Sequence, residues 1–95
     1  MKKVCIVGYG AIGPLHADAL KGIPNLTLYG ICDIDRERAD KGAYEHGCKA
    51  FYSLEDCLKD EEIQSVHICT PHYLHYEMID KCLAAGKMVV IEKPV

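Results

Sequence analysis

Long apolar runs are missing from this 95-residue chain, and none approaches the length that crosses a bilayer, so a membrane-spanning helix is excluded. There is no basic patch either. The formal net charge is −3, which argues against a nucleic-acid surface built from clustered lysine and arginine. No C-x-x-C pair occurs, and the five histidines form no zinc spacing with the cysteines, so we expect no metal centre. Repeats, linkers and low-complexity tracts are also lacking, which leaves one domain over residues 1–95. No signal peptide precedes Met1-Lys2-Lys3, and the expectation that follows is a cytoplasmic protein.

What is present is an ordinary globular balance, 49% hydrophobic, with six cysteines. Three of these, Cys5, Cys32 and Cys69, fall in runs that read as buried strands. Free cysteine behaves there as a small hydrophobe, so reduced core thiols are favoured over a disulfide framework.

The periodicity alternates between strand and helix. Strands are predicted over about Lys3–Val7, Leu26–Cys32, Lys49–Phe51, Val66–Cys69 and Lys87–Glu92. Helices are predicted over roughly Ile12–Lys21, from near Asp35 to before Gly47, from Ser53 to about Lys59, and over His72–Ala85. Ser53 reads as an N-cap, and Gly86 as the residue that ends the last helix. This βαβαβαβαβ order indicates an α/β fold, a Rossmann-type doubly wound parallel sheet of five strands in the order 3-2-1-4-5, with helices on both faces.

Between the first strand and first helix stands Gly8-Tyr9-Gly10-Ala11-Ile12-Gly13, a G-x-G-x-x-G. In that context it is the dinucleotide fingerprint: Gly8 permits the sharp turn, Gly10 lets a pyrophosphate approach the backbone, and Gly13 lets helix and strand pack closely. The helix N-terminus offers its free N–H groups to the phosphates. Asp33 ends the second strand 33 − 13 = 20 residues beyond Gly13, the spacing of the acid that binds the adenosine ribose. Ile34 follows it into the same cofactor region. A carboxylate accepts from ribose hydroxyls and repels a 2′-phosphate, which predicts NAD over NADP. Arg36 and Arg38 are close enough to soften that repulsion, but Asp35-Arg36-Glu37-Arg38 reads better as a solvated helix face.

Ligands of such sheets bind beyond the carboxyl ends of the strands. The remaining unusual residues collect there: Thr70-Pro71-His72 after strand four and Glu92-Lys93-Pro94 after strand five.

These segments resemble a known family. Thr70-Pro71-His72-Tyr73-Leu74-His75 is similar to the T-P-[NH]-x-x-H segment of the Gfo/Idh/MocA oxidoreductases (glucose–fructose oxidoreductase, inositol dehydrogenase and relatives). The run from Ala85 to Pro94 resembles that family's A-G-K-x-V-x-x-E-K-P, and the glycine hexapeptide and Ile31-Cys32-Asp33 match as well. The resemblance covers the whole chain. It implies that Thr70 and Pro71 border the nicotinamide, that His72 and His75 lie near the ribose, and that Glu92 orients groups around the cofactor. It implies a catalytic role for Lys93 at the reacting hydroxyl or carbonyl, and a cis peptide at Lys93-Pro94. An ammonium in that position would stabilise developing negative charge on oxygen and pass a proton onward. For His75 a surface or helix-capping role stands as the alternative.

The activity implied is hydride transfer between a nicotinamide cofactor and a sugar, inositol or related polyol. NAD-dependent glycoside hydrolysis on the same fold and a non-catalytic nucleotide sensor are the alternatives. The family continues into a second, substrate-binding domain, and the chain stops at Val95. We therefore expect an excised or truncated dinucleotide-binding domain that binds NAD weakly without turnover. Strand five would then be a sheet edge, with Val89-Val90-Ile91 available for a homo-oligomer.

Overall fold

The computed structural model describes residues 2–8, 13–69 and 75–91. Its strands are β1 (Lys2–Val7), β2 (Leu26–Cys32), β3 (Lys49–Phe51), β4 (Ser65–Ile68) and β5 (Met88–Ile91), all parallel, in the order β3-β2-β1-β4-β5. Among the described residues, four helices alternate with them: α1 (Gly13–Lys21), α2 (Arg36–His46), α3 (Leu54–Lys59) and α4 (His75–Ala84). The expected topology is the observed one.

The central strand shows why the sequence folds this way. Val4 and Ile6 of β1 join Ala17 and Leu20 of α1 and Ile31 of β2 in one apolar cluster. Cys5 and Val7 point the other way and meet Leu54 and Cys57 of α3, Ile63, Val66 and Ile68, and Cys82 of α4. With both faces covered, β1 needs an unbroken apolar run, which is how a strand buried on both sides reads.

Local signals end the helices. Asp35 caps α2, accepting from the Glu37 N–H at 3.0 Å and the Arg38 N–H at 3.4 Å. Gly47 ends α2 in the left-handed region at φ 63°. Ser53 caps α3 by accepting the Asp56 N–H at 3.2 Å, and Gly86 follows α4 at φ 76°, both as the sequence predicts.

The strand boundaries differ in β1, β4 and β5, and α4 ends one residue early, at Ala84. β1 begins at Lys2, whose N–H bonds to the Asn25 carbonyl at 2.9 Å. β4 begins at Ser65 and stops before Cys69, which is half-buried beyond the strand rather than inside it. β5 begins at Met88, because the Lys87 N–H closes the end of α4 on the Cys82 carbonyl at 3.0 Å and does not enter the ladder. Among the described residues all the cysteines are free thiols, with Cys5 Sγ 3.5 Å from Cys57 Sγ in the core.

Strand β2 carries a bulge that the alternation of its residues does not announce. Val4 pairs with Leu28, but Cys5 pairs with Gly30, so Tyr29 is the extra residue. The bulge shifts the phase of β2. Leu28 and Ile31, three apart, share the α1 face, while Tyr29 and Cys32 share the opposite one. Gly30 makes room for a neighbour here: a Cβ on it would stand 2.5 Å from Cε2 of Phe51.

Candidate functional site

The in-register ends of the strands define one edge of the sheet. Val7 pairs with Cys32 and with Ile68, and Ile68 pairs with Ile91. The residues that leave these strands therefore line up side by side: Gly8 after β1, Asp33 after β2 and Cys69 after β4. Chain direction reverses its sideways progress here, since β2 lies on one side of β1 and β4 on the other, which is the switch-point geometry of ligand sites in doubly wound sheets.

Gly8 turns off β1 at φ 91°, a left-handed value that favours glycine. Its N–H donates to the Cys32 carbonyl at 2.8 Å, and the Cys69 N–H donates to the Val7 carbonyl at 2.8 Å. The turn is thus sewn to both neighbouring strands. Gly13 opens α1, and His75 opens α4. Gly10, Ala11, Ile12, Thr70, Pro71, His72, Glu92 and Lys93, with the Lys93-Pro94 peptide, lie outside the described residues.

Asp33 is 7% exposed. Its N–H donates to the Phe51 carbonyl at 3.1 Å, which fixes the residue against β3. Its Oδ1 accepts the Asp35 N–H at 2.9 Å, a short side-chain turn that aims the carboxylate across the start of α2. Oδ2 lies 4.0 Å from Nη1 of Arg38. A carboxylate offers about four acceptor sites, so the bond to Asp35 is compatible with accepting ribose hydroxyls as well. Ile34 beside it is 89% exposed, an apolar side chain at the rim of the same edge.

Arg38 stands on the solvated face of α2 that the sequence predicts. It is exposed, but it is also drawn to two acids, with Nε 3.7 Å from Asp35 Oδ2 in addition to its approach to Asp33. Arg36, equally close in sequence, lies elsewhere: its guanidinium sits 4.2 Å from the centre of the Tyr52 ring. The signal that separates them is Asp35. Once it is the cap, residue 38 is the third helical position and folds back over the cap, while residue 36 is the first and projects away.

A positive-φ glycine closing one strand, a buried acid closing its neighbour, and a helix N-terminus opening after the glycine together form the donor and acceptor set of a dinucleotide cradle, and these residues fit that cofactor.

Comparison with known proteins agrees with the geometry. The family model GFO_IDH_MocA, oxidoreductase family with NAD-binding Rossmann fold, matches residues 2–95. The myo-inositol 2-dehydrogenase of Thermotoga maritima is 31% identical over 94 residues, covering 98% of this chain and 28% of its own length. The structure of GenD2 from gentamicin A biosynthesis, in complex with NAD, superposes with a TM-score of 0.92 at 30% identity, over 98% of this chain and 27% of that one. KijD10, a 3-ketoreductase from Actinomadura kijaniata in complex with NADP, gives 0.91 at 28% identity, over 98% and 30%. The chain spans less than a third of the length of each of these proteins. The chain belongs to the Gfo/Idh/MocA oxidoreductase family, and its residues form that family's NAD-binding Rossmann fold.

Proposed function

We propose that this chain is the cofactor half of a dehydrogenase that moves a hydride between NAD and a sugar, inositol or related polyol. The observation that carries the reading is Asp33: an acid 7% exposed, bonded through its backbone to β3 and standing one strand away from the Gly8 turn. The inositol 2-dehydrogenase among the relatives supports the polyol class.

In this reading Gly8, Gly10, Ala11, Ile12 and Gly13 hold the pyrophosphate through backbone N–H groups and the N-terminus of α1. Asp33 accepts from the ribose hydroxyls, and Ile34 covers the apolar side of the adenosine. Thr70, Pro71, His72 and His75 border the nicotinamide half, and Glu92 orients it. Lys93 holds the substrate oxygen, stabilising negative charge on it and relaying its proton. The cofactor supplies the hydride-accepting ring. The substrate-selecting half belongs to a second domain outside these residues. By themselves the 95 residues bind NAD and give no NADH with a polyol panel, because they carry the cofactor side of the site.

NAD is preferred over NADP, since a 2′-phosphate would meet the Asp33 carboxylate. Calorimetric titration of the chain with each nucleotide tests this. A lower Kd for NAD is expected, and equal or tighter NADP binding refutes the preference.

A further inference from the structure

Three thiols meet in the core and take no part in the dinucleotide reading. Cys5 of β1, Cys32 of β2 and Cys57 of α3 are all buried in one apolar cluster. Cys57 stands between the other two. Its Sγ is 3.5 Å from Cys5 Sγ, and it shares a hydrogen bond with Cys32 as well. The fold thus holds Cys5 and Cys57, 52 residues apart in sequence, with their sulfurs in contact. A disulfide would bring them about 1.5 Å closer. The element that has to move is small: α3 is six residues long and buries Leu54 and Cys57. A helix this short gains little from its own backbone bonds, so it opens more readily than the sheet beneath it.

We infer that Cys5 and Cys57 are a redox pair, which a low-molecular-weight disulfide such as oxidised glutathione converts to a bond stapling α3 to β1, and which a free thiol restores. The inference is independent of the dinucleotide reading. In the closed chain the bond with Cys32 acts downward on the Cys57 thiol, but the bond to Cys5 and burial outweigh it and push the thiol up, so it is inert. When α3 opens, the Cys57 thiolate attacks one sulfur of the oxidant. The oxidant's S–S bond breaks, and its other sulfur leaves as a thiolate that takes up a proton. As α3 closes, Cys5 gives up its proton and attacks Cys57 Sγ of the mixed disulfide, forming the Cys5–Cys57 bond and expelling the second thiol. Two protein thiols lose two electrons and two protons, and one oxidant disulfide becomes two thiols. Closure drives the second step, because it presents Cys5 to Cys57 at an effective concentration that free thiols do not match.

The test is equilibration of the 95-residue chain in glutathione buffers of stepped oxidised-to-reduced ratio. Acid quench, alkylation in urea and non-reducing peptide mass spectrometry then read the linkage. The folded chain should yield a linked Cys5–Cys57 peptide that disappears with dithiothreitol. The oxidised chain should show a higher urea midpoint than the reduced one, since a 52-residue loop is closed in its unfolded state. Cys57→Ala should lose the link and the midpoint shift, and Cys82→Ala, in the same cluster, should keep both. The link, its reversal and the shift are all read on the parent chain, so they decide the matter even if Cys57→Ala does not fold. A folded chain that stays reduced at every ratio, a Cys32–Cys57 link in place of the Cys5–Cys57 one, a link that forms equally in urea, or a midpoint that does not rise overturns the inference.

Discussion

The Gly8 N–H donates to the Cys32 carbonyl at 2.8 Å, and this single bond ties the glycine turn to the peptide that carries Asp33. Cys32 is in register with Val7, so turn and acid leave adjacent strands at the same level. The spacing between the two in sequence is the length of α1 and β2 with their connections. Their proximity in space is set by the parallel pairing of β1 with β2.

The first prediction concerns what holds Asp33 in place. Gly30 lies where a Cβ would stand 2.5 Å from Phe51 Cε2, and Phe51 supplies the carbonyl that Asp33 bonds. Gly30→Ala should cost about 1–3 kcal/mol of unfolding free energy, because the ring must move off β2. In a Phe51→Leu background the same substitution should cost less. Urea denaturation of the four proteins gives the coupling, and an equal cost in both backgrounds would refute the contact.

The element order was legible in the sequence because its signals are local and strong: an apolar run for β1, Ser53 and Asp35 at helix starts, Gly47 and Gly86 at helix ends. The bulge at Tyr29 was not, since Leu26 to Cys32 reads as an apolar run under either phase, and only Gly30 hinted at a break. Arg38 was visible as a charge near Asp33, but its separation from Arg36 needed the cap at Asp35. The end of β4 was misread at Cys69 because a half-buried cysteine just past a strand looks like one inside it.

Lys87 provides a second prediction. It is 8% exposed, and its Nζ donates to the Asp60 carbonyl at 2.9 Å and to the Ile63 carbonyl at 2.7 Å. The ammonium thus fastens the start of β5 to the turn between α3 and β4. Lys87→Met keeps the volume and leaves both carbonyls without this donor, at a cost of about 2–3 kcal/mol. Thermal unfolding measures it, and a change below about 0.5 kcal/mol would contradict the role.

Asp60 makes stability depend on acid pH. Burial pushes its carboxyl up, but the Glu62 N–H, the Tyr29 hydroxyl and the Lys49 and Lys87 cations together hold it below the ordinary value. Tyr29 Oη donates at 3.0 Å and the Glu62 N–H at 3.0 Å. A carboxyl lowered on folding contributes stability above its unfolded value, and that stability is lost as pH falls through the lower folded value. Asp60→Asn should therefore cost about 1–2 kcal/mol at neutral pH, and the cost should shrink as pH falls through the lowered folded value. Chemical denaturation across that range checks it, and a cost that does not change with pH would count against the ionised pairing.

The buried thiols should be unreactive in the native state. The Cys57 hydrogen bond and burial push Cys32 up. For Cys57 the bond to Cys32 acts downward, but the bond to Cys5 and burial outweigh it, and burial raises Cys82. Thiolate is the nucleophile, so iodoacetamide at pH 8 should leave these three intact in the folded chain and label them in urea. Peptide mass spectrometry reads the result. Labelling of Cys57 at the denatured rate would show that the core around it is open.

The central claim is that Asp33 and the Gly8 turn form a dinucleotide site, and calorimetric titration of NAD into the chain and into Asp33→Ala tests it most directly. The account predicts saturable binding by the parent chain and at least about tenfold weaker binding by the variant, with both proteins folded. Equal affinities, or no binding by the folded parent, would contradict it.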